Sequence, residues 1–286
     1  MHKIIAAAIP FALFVVTSQR GAAAAEKSQY WLFNPTPARL MREMTTDRPD
    51  ITEVPFTVDA GHFQTESTLF GYARSRPDLD GAESDVYDFM YTNLRIGLTN
   101  DVELSLVWEP FGLIKAHGEV SPTQSGVGSL DVRLKANLWG NDNFDKLGSA
   151  FALLPFIVVP TDADNGISVE RPEGGLAAFA QLKLPGKFEL GINVAAEAVA
   201  NEEQRGHHTE YPMSASLSYE WTEKFGTYAE FATVLGFDDP RGDIFIIGAG
   251  WTYSLTENLQ LDGGMNFGLQ APADRYNPFL GLSMRF

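Results

Sequence analysis

The chain has 286 residues, 44% of them hydrophobic, and no cysteine, so it can bury a core but has no disulfide framework to hold one. Its net charge of −16 at pH 7 excludes the basic footprint of a nucleic-acid binder and works against docking on anionic lipid. No internal apolar run reaches the length of a membrane helix.

The chain opens on Met1-His2-Lys3, continues through the apolar run Ile4–Val16, and reaches Ala23-Ala24-Ala25 before Glu26. A basic head, an apolar middle and a small-residue tail read as a secretory signal over residues 1–25, cleaved near Ala25. Arg20 inside the tail leaves the cut open by a few residues. Cleavage would remove Lys3 and Arg20 and no acid, taking the rest of the chain to −18. Residues 26–56 then form a segment rich in proline and charge. Thr36-Pro37 predicts a short helix through Glu43, with proline at its first position. Met44–Pro55 predicts extended chain, because Pro49 and Pro55 bar the residues before them from the helical region. This segment is expected either to plug a lumen or to lie in the periplasm, and Arg48 and Asp50 are its plug or gate candidates.

From residue 57 the period becomes two. Val102, Leu104, Leu106 and Trp108 share one face against Glu103, Ser105 and Val107, and Leu130, Val132 and Leu134 oppose Asp131, Arg133 and Lys135. Such alternation predicts half-buried strands. Twelve are expected, at 57–70, 86–98, 102–109, 127–139, 149–159, 174–184, 188–199, 211–221, 225–234, 243–254, 259–269 and 277–286. The strand 149–159 is nearly all apolar, which leaves its facing open. Short connections, such as Pro185–Lys187 and Thr256–Asn258, alternate with long polar ones, such as Ala73–Asp85, Pro110–Ser125 and Thr161–Pro172; Gly140–Gly148 is a short position stretched. A sandwich has no reason for this asymmetry. A closed antiparallel transmembrane β-barrel has one, with short periplasmic turns and long outer loops. Residues 57–286 are therefore expected to be an all-β barrel in the bacterial outer membrane, its outer face against lipid.

Trp139, Phe144, Phe188, Trp221, Phe225, Trp251, Tyr253 and Phe286 fall at turn-side strand ends, where an interfacial girdle belongs. The last strand is apolar at Leu280, Leu282, Met284 and Phe286. Its terminal aromatic is similar to the signal read by the barrel-assembly machinery, an expected partner.

A Lys or Arg facing lipid at the midplane would cost about 2–4 kcal/mol, so polar strand residues are assigned to the lumen. On the first strands these are Gln64, Glu66, Asn93, Arg95 and Glu103. Asp131, Arg133 and Lys135 follow, with Arg133 and Lys135 expected opposite Glu103 and Glu109. Farther along come Lys183, Glu189, Asn193, Glu220, Glu230, Asp262 and Arg285. They either pair into a core that holds the barrel shut or line a path for a small solute.

The segment Trp31–Glu66 contains Thr46-Asp47-Arg48-Pro49-Asp50, Thr52-Glu53, Pro55 and Thr57-Val58-Asp59-Ala60-Gly61-His62-Phe63-Gln64-Thr65-Glu66. Together with Asn93–Thr99, Gly126–Asp131 (Ser129 standing where Asp is usual) and the closing Arg285-Phe286, it resembles the bacterial outer-membrane family labelled as phenol-degradation (MetA-pathway) transporters. The resemblance implies an outer-membrane barrel related to channels for fatty acids and aromatic hydrocarbons. It implies no particular substrate, because the phenol label rests on genomic context.

Three functions are compatible with these residues. The first is a passive transporter or narrow channel for small, hydrophobic or aromatic solutes, acting without a cofactor. The second is a structural or interaction barrel with a filled lumen and acidic outer loops. The third, a lipid-modifying enzyme, needs a Ser–His pair with an orienting partner. His117, His207 and His208 fall in predicted outer loops, and His62 has no serine at an obvious spacing. Adjacent His207 and His208 point apart on extended chain and make no metal site by themselves. The non-enzymatic first reading is taken forward.

Overall fold

A computed structural model describes residues 27–77, 83–117, 123–201, 205–236 and 242–286; the expected signal at 1–25 lies outside them. The described residues form fifteen strand segments. Six of them make three crossings, each broken once: β2 (Glu83–Phe89) with β3 (Tyr91–Gly97), β4 (Val102–Trp108) with β5 (Phe111–His117), and β6 (Thr123–Gly126) with β7 (Leu130–Trp139). The unbroken crossings are β1 (Phe63–Arg74), β8 (Ser149–Val159), β9 (Glu173–Lys183), β10 (Phe188–Ala200), β11 (His207–Thr222), β12 (Phe225–Leu235), β13 (Ile244–Thr256), β14 (Leu259–Gly268) and β15 (Asn277–Arg285). Each crossing pairs antiparallel with the next, and β15 returns to β1, with Gln64 opposite Arg285 and Ser67 opposite Leu282. Twelve strands thus close on themselves. Closure through β15 and β1 pairs both edges of every crossing strand except the short β6, which pairs with β5 alone, and a closed ladder is what lets a sheet cross a bilayer.

The period-two pattern places the faces as expected. Ile157, Leu176, Val194, Leu217, Phe231 and Ile247 are exposed outward, toward lipid. The ambiguous strand β8 resolves in the same way: Ala150, Ala152 and Leu154 are buried inside, while Phe151 stacks on Trp139 at 4.9 Å. At the periplasmic end Phe188, Tyr219 and Trp221 pack ring to ring at 4.6 and 4.7 Å, as part of the girdle. Phe144 departs from it. It packs edge-on against Phe56 at 5.2 Å, because the stretched turn turns inward and carries a four-residue helix capped by Gly148 at φ 70°.

Three other expectations are corrected. The first strand begins at Phe63, not at residue 57. Val58 gives its N–H to the Glu103 carboxylate at 2.7 Å, and Thr57 gives its own to Asn141, so these residues are held by wall side chains instead of joining the ladder. The expected loop Pro110–Ser125 is mostly strand, since β5 and β6 pair with each other from Gly112–Gly126 to Lys115–Thr123. The helix expected through Glu43 is a single 3₁₀ turn at Ala38–Leu40 without a side-chain cap. The chain extends at Met41, and Arg42 gives its N–H to Asp59.

Candidate functional site in the barrel lumen

Alternation sends every second residue of β1, β3, β4 and β7 inward, and several of those residues are charged. Arg95 is fully buried. Its Nε and Nη2 meet the two Glu103 oxygens at 2.9 and 3.0 Å, and its Nη1 meets Glu66 at 2.8 Å. Lys135, also fully buried, lies opposite Glu103 in the β4–β7 register, with Nζ 3.7 Å from that carboxylate. A closed interior tolerates such charges when each finds a partner of opposite sign.

The remaining partners come from residues 27–62, which cross the lumen. Lys135 donates to Asp47 at 2.6 Å and to the Val54 carbonyl at 3.0 Å. Arg95 donates to the Phe56 carbonyl at 2.7 Å. Burial pushes the Asp47 carboxyl up, but Arg95 and Lys135 outweigh it and hold the group below its ordinary value. Arg48 reaches Asp262 on the far side, at 3.3 Å through Nε and 2.7 Å through Nη2, and gives its N–H to Glu66 at 2.9 Å. Its guanidinium fits there because residue 281 is glycine: a Cβ would stand 2.1 Å from Nη2. At the periplasmic end Lys27 and Arg42 bind Asp142 at 2.8 and 3.1 Å, tying the segment to the turn after β7. Burial pushes Asp142 up, and the two cations override it, so its carboxyl sits below the ordinary value.

Other expected lumen residues take local roles. Arg133 pairs with Glu53 at 2.7 Å and Asp131 at 2.8 Å, not with Glu109. The break after β4 carries Glu109 away, toward Gly112 and Gly128. Asn93 stands opposite Glu66, Gln64 donates to Glu66 at 2.8 Å, and Glu189 accepts from Gln181 at 2.8 Å. Arg285 donates to the Arg42 carbonyl at 2.7 Å and to Asn258 at 2.9 Å. Lys183 and Glu220 are exposed at the periplasmic mouth, Lys183 on Asp145 at 2.5 Å. Asp47, Thr52 and Glu53 had no role assigned from sequence. Their recurrence beside Arg48 and Asp50 in one short run was the available signal.

Among the described residues, two chambers lie beside the crossing segment. The outer one, of about 330 Å³, is walled by Leu154, Phe156, Ala177, Phe179, Pro212 and Ala232, with Asp131, Arg133, Asn193 and Glu197 on its sides and Ile51 and Glu53 at its floor. The inner one, of about 470 Å³, is polar and opens beside the periplasmic turns, where Gln181, Glu189, Ser216, Ser218, Glu220 and Gln260 face Arg48, Asp50 and Thr52. An apolar lining inside a barrel is unusual, since such interiors are normally polar.

Residues 46–286 match the model of the family described as "Putative MetA-pathway of phenol degradation". The chain belongs to this family. The matched region starts at Thr46, so it takes in the whole run that crosses the lumen between Asp47 and Val54 as well as all fifteen segments of the barrel. No curated protein matches. Among solved structures the family member is similar to an outer membrane channel from Pseudomonas putida F1, with a TM-score of 0.62 and 13% identity, covering 85% of this chain and 100% of that one. It is also similar to the transport unit of the autotransporter AIDA-I from Escherichia coli, with a TM-score of 0.50 and 10% identity, covering 79% and 90%. At those identities the likeness is one of fold, and the fold is that of an outer-membrane barrel.

Proposed function

We propose that this barrel is a passive, non-enzymatic passage for small, largely apolar solutes across the outer membrane. The observation that carries the reading is the chamber on the outer side of the lumen, whose lining is mainly apolar although Glu53, Asp131, Arg133, Asn193 and Glu197 also border it. A cavity of about 150 Å³ holds benzene, so a chamber of about 330 Å³ has room for one or two aromatic rings. A solute would shed its water in this chamber, pass the crossing segment, and leave through the polar chamber below. Residues 27–62 act in this reading as a plug, with the signal at 1–25 removed on export.

Cells whose lipopolysaccharide is intact test it with naphthalene, whose fluorescence reports uptake. Expression of the protein should raise uptake above the empty-vector rate. Ala177→Trp should return uptake to that rate, because Ala177 is buried against the chamber and an indole there fills it. Uptake equal to the empty vector with the wild-type barrel present would end the proposal. The filled-lumen reading predicts that outcome.

Assembly is part of the same proposal. β15 closes the ladder against β1, and Phe286 is exposed just beyond it, free to be read as a terminal aromatic. Deleting Phe286 should lower the amount of heat-modifiable, folded barrel in outer-membrane fractions. An unchanged amount would separate this residue from assembly.

A further inference from the structure

The two chambers are divided by one loop. Its neck is closed where the Val54 N–H donates to Asp47 at 3.3 Å, and both residues are held by the Lys135 ammonium. From that neck residues 48–53 project toward the opposite wall. One flank is fixed by Arg48 on Asp262, the other by Glu53 on Arg133. The side chains at the tip divide between the chambers: Ile51 lines the outer one, while Asp50 and Thr52 line the inner one.

The tip meets the far wall at β12, β11 and β10. One Glu230 oxygen accepts the Ile51 N–H at 3.0 Å. The other accepts the Thr52 N–H at 3.0 Å and the Thr52 hydroxyl at 2.9 Å. The Thr52 and Ser214 hydroxyls are 2.8 Å apart. Beneath them residue 191 is glycine, and a Cβ there would stand 2.9 Å from the Thr52 methyl carbon. The absence of a side chain is what lets the tip seat against the wall. The root of the loop is therefore gripped by the fully buried Lys135 ammonium, while the tip hangs on the hydrogen bonds of one wall carboxylate, Glu230, and of the Ser214 hydroxyl.

We propose that residues 48–53 are the movable partition of the passage and that Glu230 is its latch. Opening breaks the Glu230 bonds to Ile51 and Thr52 and lifts the Thr52 methyl from its niche over Gly191. The neck at Asp47, Val54 and Lys135 stays in place. The two chambers then join along β10–β12. The inference rests on the passage reading above, and it assigns to Glu230 and Gly191 the control of that passage.

The chain has no cysteine, so thiols introduced into it report without background. In the first experiment Thr52→Cys with Gly191→Cys is oxidised or reduced in the full-length barrel, and cross-linking is verified by mass spectrometry. Naphthalene uptake should fall to the empty-vector rate when the pair is oxidised and recover on reduction. Equal uptake in both states would place the passage elsewhere and overturn the partition. In the second, Thr52→Cys alone is labelled with a water-soluble maleimide, with and without Glu230→Gln. Loss of the charged acceptor should speed labelling by about tenfold, the worth of one charge-assisted hydrogen bond. An unchanged labelling rate, in a barrel that still shows heat-modifiable migration, would overturn the latch. Labelling reads the loop without reference to flux, so a latch that labels as expected in a barrel without uptake would show that the passage reading had failed and the latch had not.

Discussion

Arg95→Met should release the crossing segment while leaving the barrel closed. The guanidinium is fully buried and lies within 3.4 Å of Glu66, Glu103 and Asp47. Methionine fills much of the volume and supplies no donor. Glu66 would then lose its ion pair and Glu103 its bidentate partner, leaving Lys135 to serve Asp47 and Glu103, and breaking a buried ion pair from one side costs about 3–5 kcal/mol. The ladder does not pass through this cluster, since β1 and β3 remain paired by backbone from Phe63–Ile96 to Thr68–Tyr91. The cost should fall on docking of residues 27–62. Limited proteolysis of the detergent-solubilised barrel should cut within that segment much faster than in wild type, with heat-modifiable migration kept. Adding Glu103→Gln should restore part of the resistance, because it removes one of the stranded charges. Arg95→Lys should fall between the two, since an ammonium keeps the charge but cannot bridge both Glu103 oxygens and Glu66. Wild-type protease resistance in Arg95→Met would show that the cluster does not hold the segment.

The wall of this protein was legible in its sequence because a barrel strand obeys one local rule. Alternation needs no knowledge of partners, and it placed Arg95, Glu103, Lys135 and Asp262 inward from their parity alone. The direction of the connections was legible too, because short periplasmic turns and long outer loops alternate in length. What parity cannot supply is the partner of each inward charge. Lys135 was expected opposite Glu103, and the register delivers that. Its shorter contact, though, is with Asp47, 88 residues earlier, and no local pattern joins those two. Arg133 shows the same limit: Glu53 and Asp131 take it, and Glu109 is displaced by a break at Pro110 that alternation does not foresee. Lys27, Arg42, Asp59 and Asp142 form a cluster that unites the start of the segment with a periplasmic turn, again from positions too far apart to be read together. The apolar chamber was visible only as an anomaly. Strand 149–159 looked ambiguous because both its faces are apolar, and the structure gives the reason: one face meets lipid and the other lines the chamber.

Docking of the partition should weaken as pH rises through about 7. Asp50 sits on the crossing segment beside Glu230, and burial first, then the Glu230 carboxylate, push its carboxyl up to about 7 from an ordinary 3.8. Asp47 on its own segment adds to the rise, and the Ser216 hydroxyl works against it. Tyr228 of β12 and the ion-paired Arg48 and Asp262 complete its surroundings. The seated carboxyl therefore binds a proton more tightly than the released one. Between about pH 4 and 7 seating takes up a proton, so the seated state is favoured fully below the ordinary value and loses that advantage as pH climbs through about 7. The equilibrium changes by up to tenfold per pH unit across that window. Maleimide labelling of Thr52→Cys, corrected for the pH dependence of the thiolate with a free peptide, should accelerate from pH 5.5 to pH 7.5. Asp50→Asn should flatten the profile near its low-pH, slow-labelling limit, because the amide stays neutral throughout. A wild-type profile that is already flat, or one that Asp50→Asn leaves unchanged, would show that a different group, or none, governs the loop.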